Sequence, residues 1–213
     1  MSAAADRYDD AFLTAAQVTR DLLRLPQLAP AWGEPSALPG LSVGALACHL
    51  GNQVVRAAQL LPQQDDLPVL GSVDEHYRRA AWVTAPPDDA VNDRSRDEDE
   101  ARTGHAALLD RVDGADRTVR ALLADGSARD VVPVPWQGWS LRRDDFLLTR
   151  MLEMVVHSDD LVASLDVPAP PLPDAVLDPV VALLVRLSVA RHGQSALVAT
   201  LTRRERAREI YAF

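Results

Sequence analysis

Glu153 and His157 stand four residues apart inside an apolar run that extends from Leu141 to Leu165. On an α-helix that spacing sets both side chains on one face, one turn and about 6 Å apart along the axis. A carboxylate and an imidazole placed this way can grip one divalent cation. Catalytic zinc usually takes three protein ligands and leaves a fourth position for water or substrate, so a third ligand has to come from elsewhere. The chain has five histidines, and His49 stands in a second strongly apolar segment, between Leu46 and Leu50. The expectation is that His49, Glu153 and His157 meet inside a helical bundle and hold a metal. A Glu and a His at this spacing also fit a solvated pair or a satisfied core pair. The setting bears on the choice, because Phe146 to Val156 is apolar apart from Thr149, Arg150 and Glu153. A carboxylate there needs a partner, since burying it alone costs several kcal/mol or forces it to protonate.

Further polar residues lie near these positions. The helix face of His49 also carries Ala45, Asn52, Gln53 and Arg56. Asn52, Arg56, Arg150 and Asp160 are candidates for contacts to the ligands or to a substrate. For Arg150, three residues before Glu153, a plain ion pair along the helix is the alternative. Cys48 adjoins His49, but neighbours on a helix diverge by about 100°, so both cannot face one metal, and Cys48 reads as a small buried residue. His76, among charges, reads as a surface residue. His105, one turn before Leu108, reads as an ordinary structural histidine.

Composition narrows the function classes. The formal net charge is −9, and all 22 basic residues are Arg. That balance argues against nucleic acid, whose phosphates require basic patches, and against an anionic membrane surface. No apolar run reaches the length that spans a bilayer, and the first residues do not read as a signal peptide. One cysteine among 213 residues allows no intrachain disulfide and fits a reducing cytoplasm. Abundant Ala and Leu with few aromatics favour helix over sheet.

The elements that would position the site follow in order. A first helix runs from an Asp6 cap to about Leu25, with Tyr8, Phe12, Ala15, Thr19 and Leu22 on one stripe, and Pro26 stops it. A second opens at a Ser42 cap, with Leu41 and Leu46 at the staple positions, and ends before Pro62. From Pro62 to about Glu100 the chain is a long connection, with a short helix between Ser72 and Val83 and an acidic, solvated stretch from Pro86 to Glu100. A third helix spans about Ala101 to Ala124, with Leu108, Val112, Ala115, Val119 and Leu122 at steps of four and three. Val131 to Trp136 is extended, as its prolines require. Trp136 and Trp139 roof one end of the bundle or line a pocket mouth, and Ser140 is a candidate cap for the fourth helix. Pro-rich sequence from Asp166 to Pro173 breaks the chain. A fifth helix follows from Asp174 to about His192, apolar at Leu177, Val181, Leu184 and Leu187. The tail is apolar from Ser195 to Leu201, then basic.

Three of these stretches together resemble a known family. Trp32 with the segment from Pro35 to Leu50, which contains His49, resembles the second-helix signature of the DinB-like superfamily. More narrowly, it resembles the mycothiol-dependent maleylpyruvate isomerase N-terminal domain. Arg150 to Leu161, with Glu153 and His157, resembles that family's fourth helix, and the tail from Arg191 to Phe213 resembles the ending of its actinobacterial members. The resemblance implies an all-α, four-helix DinB-like bundle over residues 1–166, with a small helical C-terminal extension over 167–213. It implies a divalent metal held by His49, Glu153 and His157, zinc most often and nickel as an alternative. It also implies mycothiol as co-substrate, in transferase or isomerase chemistry on a small electrophile, by a cytoplasmic monomer or homodimer. Two other readings remain open: a non-catalytic metal-binding module, and a metal-dependent hydrolase that uses activated water.

Overall fold

In the computed structural model, residues 8–83, 85 and 95–213 are described. The architecture is all-α. Four long helices make the bundle: α1 (Asp9–Leu22), α2 (Val43–Leu60), α5 (His105–Ala124) and α6 (Arg143–Leu165). α2 lies against both α5 and α6, and α1 closes the other side against α6 and α5. Short helices α3 (Val73–Arg79) and α4 (Ser95–Ala101) come between α2 and α5 in the sequence, and they pack on α6 and on α2 respectively. α7 (Asp174–His192) packs on α6 and α1, and α8 (Gln194–Thr202) follows it.

The helices form where the side chains allow one apolar face. In α1, Phe12, Ala15, Thr19 and Leu22 are buried as one stripe. Asp6, the expected cap, lies outside the described residues. α2 begins as anticipated, with Ser42 Oγ accepting the backbone N–H of Ala45 at 3.1 Å and Leu41 and Leu46 both buried. That bond satisfies one orphan donor of the first turn.

Two glycines on α2 let its neighbours come close. A Cβ at Gly44 would stand 2.6 Å from the Trp32 ring, and one at Gly51 would stand 2.8 Å from Val112 on α5. Tight approach on both sides holds α2 at the centre of the bundle.

Several expectations are corrected. The acidic stretch is not all solvated connection. Residues 86–94 lie outside the described residues, but Ser95–Ala101 is a helix on α2, with Asp97 and Ala101 buried. α5 starts at His105 rather than Ala101, because Arg102, Thr103 and Gly104 break the helix, with Gly104 at φ +87°. Ser140 caps nothing. It belongs to a small antiparallel hairpin, β1 (Val131–Val134) with β2 (Trp139–Arg142), where it faces Pro133. Its backbone also bonds Pro68 and Leu70, so α6 opens at Arg143, with Asp144 and Asp145 favourable at its positive end. On α7 the buried stripe is Val176, Val180, Leu183 and Leu187, whereas Val181 is exposed. The helix is turned so that most of the expected stripe flanks the contact.

Candidate metal centre

α2 and α6 bring His49, Glu153 and His157 together. One ligand atom from each lies within 4.8 Å of the others. Oε2 of Glu153 stands 3.4 Å from Nε2 of His49 and 3.4 Å from Nε2 of His157. The two imidazoles meet edge to face, with centroids 4.7 Å apart.

The far side of each ring is fixed. Nδ1 of His49 donates to Asp97 Oδ2 at 2.8 Å, and Nδ1 of His157 donates to Asp160 Oδ2 at 2.9 Å. With its Nδ1 proton held by a carboxylate, each neutral imidazole presents the Nε2 lone pair to the centre. Three acceptors then converge on one point, which is stable only with a cation there, a proton or a metal. Carboxylate-backed histidines are the usual support of metal-ligating imidazoles. The two 3.4 Å separations from Glu153 also suit an ion, since ligand atoms at the corners of a tetrahedron with arms of about 2.1 Å stand about 3.4 Å apart.

Without an ion, protons take that role. Burial alone would lower the His157 pKa, but the hydrogen bonds to Asp160 and Glu153 outweigh it and raise the value to about 9. Burial likewise works to raise Glu153, yet the two imidazoles and the Arg150 charge hold it well below the usual carboxylate range. A buried cluster that keeps its carboxylate ionised is a good host for positive charge.

The triad opens on a cavity of about 830 Å³ between α2, α6 and the hairpin. Trp82, Trp136 and Trp139 line it, so the tryptophan pair of the hairpin borders a pocket. Arg56 and Arg150 also line it. Arg150 is buried and makes no ion pair with Glu153. Its Nη1 donates to Gln53 at 2.8 Å and its Nε to Thr149 at 3.1 Å. Arg56 stacks over Trp136, 5.5 Å from the ring centroid. Asp160 holds His157, as described. Asn52 turns away from the cavity and donates to Glu100 at 2.7 Å.

Two residues of the site were not anticipated. Asp97 sits in an acidic run that reads as solvated, and only the docking of α4 on α2 brings it to His49. His76 is not a surface residue. It is buried and lines the cavity, because β2 places Trp139 Nε1–H 3.0 Å from its Nδ1. Burial, aided by the Arg150 charge, drops its pKa to about 4. Cys48 is buried as expected, and burial pushes its thiol up to about 11. His105 is structural, hydrogen-bonded through Nε2 to the Leu23 carbonyl at 2.7 Å.

Among the described residues no helix is long and apolar enough to cross a membrane. Comparison with curated proteins and with solved structures returned no match. One family model matches, the mycothiol maleylpyruvate isomerase N-terminal domain, over residues 12–162. The matched span takes in α2, α5 and most of α1 and α6, well over half of the chain, and the protein belongs to the mycothiol maleylpyruvate isomerase N-terminal domain family.

Proposed function

We propose that the protein is a metal-dependent enzyme that uses a low-molecular-weight thiol of the mycothiol type to transform a small electrophile, as a transferase or isomerase. His49, Glu153 and His157 are the metal ligands in this reading, and zinc is the expected ion, with nickel the alternative. Residues 1–166 form the metal-binding bundle, and 167–213 an extension packed on it. The protein works as a cytoplasmic monomer or homodimer.

The observation that carries the reading is the convergence of two carboxylate-anchored imidazoles on one oxygen of Glu153. Asp97 and Asp160 keep the Nδ1 protons, so both Nε2 lone pairs stay available. Two neutral imidazoles and one carboxylate leave a divalent ion a net positive charge, and three ligands leave a position for an incoming group. A metal so bound would lower the pKa of a thiol, ordinarily near 8.5, and hold the thiolate for attack. Cys48 cannot supply that nucleophile, being buried and held protonated. The three tryptophans of the cavity form a wall that displaces water from a bound electrophile. With an α,β-unsaturated acid as electrophile, sulfur bonds the β-carbon and the thiol proton ends on the α-carbon.

The test is thiol consumption by the zinc-loaded protein given mycothiol and a bimane electrophile. The metal-loaded form should consume thiol faster than the metal-free form, and His49→Ala should behave as metal-free. Stoichiometric metal with no thiol consumption would point instead to a binding module, and turnover of esters or amides without thiol to a hydrolase.

A further inference from the structure

A wall of the cavity beside the triad comes from outside the four-helix bundle. Phe213 lines that cavity together with Trp82. It packs on two rings, with centroids 5.4 Å from Tyr77 and 5.2 Å from Trp82, and those two meet edge to face at 6.0 Å. Offset and edge-to-face contacts of this kind hold aromatic rings in defined orientations. Tyr77 beneath is 1% exposed. Phe213 is half-buried, with part of its ring on the core and part on the cavity. The triad and all three cavity tryptophans lie within the span 12–162 that the family shares, and Phe213 lies beyond it.

The segment that carries Phe213 is held at one clamp. α8 buries no residue, and residues 203–209 are exposed. The chain is then caught at Tyr211. Its ring lies under the Arg191 guanidinium, 4.7 Å from the centroid, and meets the His192 ring edge to face at 4.6 Å. Its backbone N and O stand 3.2 Å and 3.0 Å from His192 Nε2, so that nitrogen has a partner in either tautomer. Arg191 and His192 are the last two residues of α7, which packs on α6 and α1, so the clamp is anchored to the bundle. Phe213 follows two residues later, and two extended residues reach at most about 7 Å. The clamp therefore decides where the Phe213 ring can lie.

We infer that Phe213 is a specificity-determining residue that limits the size of the electrophile, and that Tyr211 is the residue that positions it. The inference rests on the reading of the cavity as the substrate site. A ring wedged between the substrate space and a buried tyrosine has no room to retreat inward. A bulkier substrate must then overpack the wall or lift the segment off its clamp, and overpacking is unfavourable. Cutting Phe213 back to alanine opens a recess of one phenyl ring against Tyr77 and Trp82, both apolar faces that would receive an aromatic group.

The experiment compares crotonate with cinnamate, which share the acid group and the double bond and differ by a phenyl in place of a methyl. Ligand-detected NMR titration gives the ratio of their affinities, with and without zinc. Phe213→Ala should shift that ratio toward cinnamate by at least about tenfold, more than the discrimination usual for one methylene. Phe213→Leu should shift it less. Tyr211→Ala, which removes the ring from the clamp, should shift it in the same direction, whereas Tyr211→Phe, which keeps the ring, should not. Val198→Ala on the exposed side of α8 is the control and should leave the ratio unchanged. Circular dichroism melts show which variants fold, and Phe213→Leu decides the matter if Phe213→Ala does not. A ratio unmoved in a folded Phe213 variant, or binding of neither acid, overturns the inference. Thiol consumption with an unmoved ratio removes the role of Phe213 and leaves the proposed function. A shifted ratio without thiol consumption does the reverse.

Discussion

Asp97 accepts a hydrogen bond from His49 Nδ1 at 2.8 Å, across 48 positions of sequence. This bond makes α4 part of the candidate metal centre. Beside it, Glu98 accepts from the Ser42 backbone N–H at 2.7 Å and from its hydroxyl at 3.0 Å, and Glu100 holds Asn52 and Arg111. Three carboxylates on a two-turn helix are therefore spent on α2 and its neighbour, and the one nearest the triad sets the His49 tautomer.

Asp97→Asn should weaken metal binding about 10- to 100-fold, the usual cost of losing a carboxylate behind a ligating histidine. An amide can offer its own N–H to Nδ1 and so favour the tautomer with the proton on Nε2. Competition with a chromophoric chelator measures the change. Asp99→Asn, on the exposed side of α4 where Asp99 pairs with Arg102, should leave the affinity unaltered.

Metal affinity should rise with pH. The His157 pKa is raised to about 9 in the metal-free protein, so a proton occupies the site across neutral pH and a metal must displace it. Apparent affinity should climb up to about pH 9 and then level. Calorimetry in buffers of differing ionisation enthalpy should register proton release on binding at pH 7. The same shift fixes the sign for stability without metal. A folded-state pKa above the ordinary 6.5 stabilises fully below pH 6.5, and the gain is lost as pH rises from 6.5 through 9. The melting temperature of the metal-free protein should fall across that window, and saturating metal should suppress the fall.

Gly44→Ala should destabilise the protein by about 1–3 kcal/mol, the usual cost of overpacking, although alanine gains up to about 1 kcal/mol in helix propensity. The new methyl would meet the Trp32 ring at 2.6–2.8 Å. That ring cannot swing aside cheaply, because its Nε1–H donates to the Ala101 carbonyl at 2.9 Å. A denaturant titration decides it, and an unchanged midpoint would show that Trp32 yields.

Cys48 should resist thiol reagents in the folded protein. Burial raises its pKa to about 11, so at pH 8 almost no thiolate exists and no reagent reaches it. Ellman's reagent should titrate about none in the native state and one equivalent after unfolding. Fast native labelling would return Cys48 to consideration as a nucleophile.

Much of this was legible in the sequence. The i,i+4 spacing on a continuous apolar helix is local, so Glu153 and His157 could be placed on one face before any fold was known. The α2 cap and the α1 and α5 stripes are local signals too. What escaped was set by tertiary docking. Acidic residues normally face water, so nothing near Asp97 announces that α4 turns it inward. His76 follows two charged residues and looks exposed until the hairpin brings Trp139 over it. The Ser140 cap failed because Ser140 makes a better partner in the hairpin ladder. On α7, apolar residues recur on too many positions to single out one face, and packing on α6 and α1 chose it.

The proposed function depends on one divalent ion held by His49, Glu153 and His157 with a position open to thiol. Cobalt substitution followed by thiol titration in the optical spectrum tests it most directly. One equivalent of cobalt should bind, lost in His157→Ala and kept in His105→Ala, and a sulfur-to-cobalt charge-transfer band should grow with mycothiol. Cobalt bound equally by His157→Ala, or a spectrum unmoved by millimolar thiol, would contradict it.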